Sequence, residues 1–182
     1  MALAPTLYDF DVTLSHVDAG LEGRFTVKAA RHPSESLERL WLRVLAFCWK
    51  WREGITFGPG LSDPDVPDLL ARDLTGEETL WIRVGKQDPA RVQREADRHP
   101  RAQVAVLLDS QERLEAFAAA AREEKLARLS RVELAAADAR LLAALAELDA
   151  RRLRVSVTIV GDHVYVDAGG RTVDGPLHRV TV

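Results

Sequence analysis

The 182-residue chain has one cysteine and one methionine, and none of its apolar runs approaches the roughly 18 residues needed to span a bilayer. A lone cysteine cannot close an intrachain disulfide. Cys48 lies inside a helical apolar pattern, so it reads as core and not as a nucleophile, and the chain suits a reducing compartment. The opening MALAPTLYDF shows no basic stretch followed by an apolar one. Together these absences predict a soluble cytoplasmic protein with no membrane partner. The histidines His16, His32, His99, His163 and His178 have no metal-ligand spacing, and there is no glycine-rich phosphate loop, nucleophile elbow or internal repeat. A formal net charge of -3 and a pI near 6.0 exclude a molecule that coats nucleic acid with its whole surface, so any such role must be local.

What the chain does hold is 47% hydrophobic residues against 29% charged, enough for one compact domain with a sizeable core, read as spanning 1–182. Alternation predicts strands at 6–15 and 22–30, joined by a turn at DAGLEG. Leu37, Leu40, Trp41, Val44, Leu45 and Cys48 recur at helical spacing and predict a helix over 33–50, with Pro33 in its first position and Glu35 in its first turn. FGPGLSDPDVP, with three prolines and two glycines, predicts a long structured loop over 57–67. A strand at 79–84, a helix at 89–98 opened by Asp88-Pro89 and an apolar strand at 103–108 follow, an order that implies parallel pairing. Residues 110–150 are rich in helix formers, interrupted by ARLSRVELA (127–135), which fits neither period. A Gly161-Asp162 loop predicts a hairpin over 153–167, and 178–182 reads as an edge strand.

Three stretches in order, ARHPSESLER (30–39), GLSDPDVPD (60–68) and LTGEETLWIRVG (74–85), resemble the YaeQ family over nearly the whole chain. The resemblance implies a compact relative of the PD-(D/E)xK nucleases: an α/β fold whose mixed sheet is flanked by helices, with a restriction-endonuclease-like core in which 127–135 becomes a strand. Such nucleases hold a divalent metal on hard oxygen ligands to polarise the phosphate and lower the pKa of the attacking water. By the resemblance, Glu35 and Glu38 are the helix carboxylates, Pro67-Asp68 is the "PD", position 83 is the second carboxylate, and the lysine has moved onto the next helix, at position 94. Here those last two places hold Arg83 and Arg94. A guanidinium cannot bind Mg²⁺, so Arg83 near Glu35 or Asp68 would occupy the metal's electrostatic place.

Beside a purely structural or interaction protein with no nucleic-acid link, two readings of function stay open on these residues. One is a degenerate site, metal-free and non-catalytic, whose domain binds nucleic acid or a protein that handles it. The other is a working Mg²⁺-dependent nuclease using Glu35, Glu38 and Asp68. Arg91, Arg94 and Arg98, with Lys86, could form a phosphate-binding face, or simply a solvated helix laced with pairs to Asp88, Glu95 and Asp97. Each site residue also has an ordinary role: Glu35 as a helix-start carboxylate, Asp68 as a turn residue, Arg83 pointing to solvent. Trp41, Trp49, Trp51 and Trp81 read as core or interface.

Overall fold

The computed structural model describes residues 4–181, so Met1–Leu3 of the opening segment and Val182 of the expected last strand lie outside it. Two long strands begin the chain, β1 (Thr6–His16) and β2 (Leu21–Arg31), antiparallel across a short turn. Their burial alternates, Phe10, Val12 and Leu14 facing the core and Asp9, Asp11 and Thr13 facing outward, as one covered face requires.

The helix that follows, α1 (Leu37–Trp49), is capped by Ser36, whose hydroxyl accepts from the Arg39 N–H at 3.2 Å. It therefore starts later than its sequence pattern suggests: Pro33 and Glu35 precede it. Every residue from Leu40 to Trp49 is buried, so α1 lies inside the molecule. Two short strands, β3 (Ile55–Phe57) and β4 (Leu69–Arg72), flank the proline-rich loop, and β5 (Glu78–Val84) completes the meander.

The next elements are α2 (Pro89–Arg98), β6 (Gln103–Leu108), α3 (Gln111–Glu123), β7 (Glu133–Ala137) and α4 (Ala139–Ala146). Only the end of the 127–135 segment is strand; Ala127–Arg131 forms a 3-10 turn first. The chain ends with β8 (Arg152–Val160), β9 (His163–Ala168) and β10 (Arg171–Val180). Far from being an edge, β10 sits between β9 and β7. It pairs with β9 through Pro176 and with β7 from Leu177, so the proline, which has no N–H, stands where one ladder hands over to the other.

Among the described residues ten strands form one mixed sheet in the order β2-β1-β8-β9-β10-β7-β6-β5-β4-β3. Parallel β5, β6 and β7 are covered on both faces, by α1 and α4 on one side and by α2 and α3 on the other, and β6 is accordingly a continuous apolar run. Of the remaining long strands, β1, β2, β8 and β9 belong to the core on the α1 and α4 side, while β10 also reaches α3, through Val180. The chain is thus an α/β fold with a large mixed sheet flanked by helices. Among the described residues no helix is long and apolar enough to cross a membrane.

Candidate functional site at the carboxyl ends of the parallel strands

Gly85 follows β5 and Asp109 follows β6, so the loops after two adjacent parallel strands open onto one cleft, the usual place for a ligand in such sheets. The cleft, about 420 Å³, is also bordered by the first turn of α1 and by Leu61 and Pro64 of the proline-rich loop.

Glu35 is placed by a tight turn before α1. Its N–H donates to His32 O at 2.9 Å, its own carbonyl accepts from Arg31 Nε at 2.8 Å, and the His32 N–H reaches Glu35 Oε2 at 3.3 Å. The fold-back leaves the residue 1% exposed and aims its carboxylate along the helix, where Arg39 and Arg43 follow at successive turns. Arg39 donates through one nitrogen to Glu35 Oε1 at 2.8 Å and through the other to Asp68 Oδ1 at 2.5 Å. Asp68 is buried too. Its N–H pairs with Ile82 O and its Oδ2 accepts from the Val84 N–H at 2.9 Å, fastening it to β5.

Arg43, fully buried, backs this pair. One terminal nitrogen lies 3.3 Å from Glu35 Oε2 and donates to Ala30 O at 3.0 Å, while the other donates to Gly58 O at 2.9 Å, with the Phe57 ring beneath the guanidinium. Burial pulls its pKa below the ordinary arginine value, and Glu35 opposes that pull.

Arg83 is 5% exposed, which removes the reading that it points to solvent, and it lines the same cleft as Asp68. Its guanidinium, however, serves a different carboxylate. Nε and one terminal nitrogen grip Glu95 at 3.1 and 2.6 Å, and the other donates to Val66 O at 2.5 Å. Glu95 further accepts from Trp81 Nε1 at 3.3 Å and Arg91 Nε at 3.1 Å. Burial disfavours the Glu95 charge, but hydrogen bonds and charge from Arg83, aided by Arg91 and Trp81, outweigh it and hold the pKa below the usual carboxylate value. The cation between Glu35 and Asp68 is therefore Arg39, and the expectation that Arg83 fills that place is corrected. Arg83 instead ties β5 to α2 and to the proline-rich loop.

The other expected site residues divide. Glu38 stands exposed on the rim and Lys86 and Arg91 line the cleft, Arg91 reaching Pro64 O as well. Arg94 does not join them: its side chain is 61% exposed, nearest Asp88 at 4.0 Å. Arg98, two turns beyond Arg91, is exposed at the far end of α2. Three residues not singled out belong here. Glu95 sits with Val92 and Ala96 on the buried face of α2, a spacing visible in the sequence; Asp109 and Arg113, paired at 2.8 Å, close the cleft, and Asp109 Oδ1 is buried with no hydrogen-bond partner among the described residues.

This donor set does not fit a divalent metal. Both oxygens of Glu35 and both of Asp68 already accept from guanidinium or backbone donors, and among the described residues no group of three or more His, Cys, Asp or Glu could hold an ion.

Comparison with known proteins bears on what the cleft belongs to. The family model described as YaeQ protein matches residues 1–176. Uncharacterized YaeQ proteins of Salmonella typhi and Escherichia coli K12 are 35% and 34% identical over 94 residues, a stretch that spans 52% of this chain and 52% of each relative. The crystal structure of the YaeQ protein from Xanthomonas axonopodis pv. citri superposes with a TM-score of 0.87 at 28% identity, covering 98% of this chain and 99% of that one. The YaeQ protein from Pseudomonas syringae gives 0.83 at 28% identity, over 98% and 97%. The extent of the family match and the agreement in fold show that this chain belongs to the YaeQ family.

Proposed function

We propose that the chain is a nuclease-like domain of PD-(D/E)xK ancestry whose metal site has been converted into an internal ion-pair network, and that its cleft binds a nucleic-acid backbone without cutting it. The observation that carries this reading is the Arg39 bridge between Glu35 and Asp68. In a metal-dependent nuclease two such carboxylates share a divalent ion, which compensates their charges and activates water. A guanidinium supplies the compensation and none of the activation, since it has no coordination site for water and stays protonated.

What the cleft keeps is the capacity to hold an anion. Arg39, Arg83, Lys86, Arg91 and Arg113 line it, and Glu38, Asp68 and Asp109 oppose them. Asp68 is satisfied by Arg39, Asp109 is paired with Arg113, and Lys86 is exposed with no ion-pair partner among the described residues. Lys86 is thus the cation most available to a phosphate, and Arg39 and Arg113 can offer further N–H groups.

The test is fluorescence anisotropy with labelled single- and double-stranded oligonucleotides at low salt. Lys86→Ala should weaken binding evenly across sequences and lower the salt slope by about one. Arg94→Ala, outside the cleft, should do less. Absence of binding at low salt contradicts the proposal, and Mg²⁺-dependent cleavage by the wild type establishes the working nuclease instead.

A further inference from the structure

The ten-stranded sheet does not close on itself. Among the described residues its outermost strands, β2 and β3, each pair on one side only, yet the sheet curls so far around α1 that both reach the same helix residue. The Phe47 ring meets Phe25 of β2 at 6.0 Å and Phe57 of β3 at 5.7 Å, and Trp51, just after α1, stacks on Phe25 at 4.6 Å. Between the two strands runs an open groove of about 670 Å³, floored by these rings and Ile55. Phe25, Trp51, Ile55 and Phe57 are only partly buried there.

The backbone along the groove is unpaired as well. Gly58 N–H donates to Asp68 O across the β3–β4 ladder, so antiparallel alternation turns Thr56 toward β4 and the Phe57 N–H out into the groove. On the other side, β2 offers an edge of 11 residues. Two free edges facing each other over an aromatic floor suit an extended chain, which alone can pair with a strand edge while sending alternate side chains to opposite faces.

The two faces of such a chain meet different surroundings. Toward α1 lie Phe25, Phe47, Trp51 and Phe57. On the outer face Arg24 and Lys28 project from β2 and Thr56 from β3, all exposed. Arg24 and Lys28 carry the positive charge of the lining against one lining carboxylate, Glu53, while Arg52 turns its guanidinium away to Thr79 O and Gln103 Oε1. Asp9, opposite Lys28 in the register, is paired with Arg152 on β8. We propose that this seam is a docking site for an extended segment of a partner protein that adds as a strand along β2, with apolar side chains at alternate positions and acidic ones between them.

The experiment uses the full chain and a fluorescein-labelled peptide of about ten residues alternating Val or Phe with Glu. Three controls accompany it: the same peptide with Lys for Glu, a version N-methylated at alternate amides, and the doubly substituted R24E/K28E protein, whose changes are on exposed side chains. The acidic peptide should bind, and amide exchange should slow in residues 21–31 and 55–57. Binding should fall about tenfold or more for R24E/K28E, for the Lys peptide and for the N-methylated peptide. Failure of the acidic peptide to bind, equal binding of any control, or protection confined to other strands overturns the proposal. So does a concentration-dependent dimer in which residues 21–31 are protected without peptide, because the seam would then belong to a second copy.

Discussion

Glu95 is the residue on which the Arg83 arrangement depends, since it accepts four hydrogen bonds from three side chains at a buried position. Glu95→Gln leaves the Arg83 guanidinium buried without its counter-charge and should cost about 3 kcal/mol or more in chemical denaturation. In the R83M/E95Q pair the loss should be smaller than the sum of the singles, a coupling that a double-mutant cycle reads directly. The pH dependence has a fixed sign. Because the folded-state pKa of Glu95 lies below the ordinary 4.5, its contribution is complete above that value and disappears as pH falls through the lower folded value. Urea midpoints measured from neutral pH into acid should therefore drop less steeply for Glu95→Gln than for the wild type. Burial pushes the Cys48 thiol up to about 12, so a thiol reagent should react with it only on unfolding. At this scale the sequence was partly legible. Asp68 and Arg83 line the cleft and Glu35 is buried behind Arg39, but which cation serves which carboxylate depends on α1 beginning at Leu37, a detail of capping that puts Arg39 between two acids.

At the scale of elements, the proline-rich loop and its flanking strands position the site by close backbone contact. A Cβ on Gly58 would lie 2.0 Å from Pro67 O, and the Gly58 carbonyl is also an Arg43 acceptor. Gly58→Ala should destabilise by about 2 kcal/mol or more, and the damage should appear first as faster amide exchange in residues 55–72. Long periodic elements were readable from the sequence: β1, β2, α2, β6 and the β8–β9 hairpin carry their own alternation, caps or turn residues. The short strands β3 and β4 carry no such signal, because three or four residues hold too little period and gain their place by pairing with β5. The early part of β10 was hidden by Gly175-Pro176, which reads as a breaker until the ladder exchange at that point is known. In 110–150, helix propensity competes with strand formation at Glu133–Ala137, and the parallel partner β6 decides it.

For the whole molecule, the fold agrees with the YaeQ structures, and the sheet that surrounds α1 opens its cleft beyond the carboxyl ends of β5 and β6. The proposed function turns on Glu35 and Asp68 being balanced internally by Arg39, which on that reading takes the place an ion would hold in a metal-dependent nuclease. Arg39→Gln should remove the bridge, destabilise the fold by leaving Glu35 and Asp68 short of a counter-charge, and create a requirement for an added cation. The most direct measurement is the thermal midpoint of wild type and Arg39→Gln with and without millimolar Mg²⁺ or Mn²⁺, since an ion that binds only the folded state must raise it. The account predicts an unchanged midpoint for the wild type and a metal-dependent rise for the variant; a wild-type midpoint that climbs with metal contradicts it.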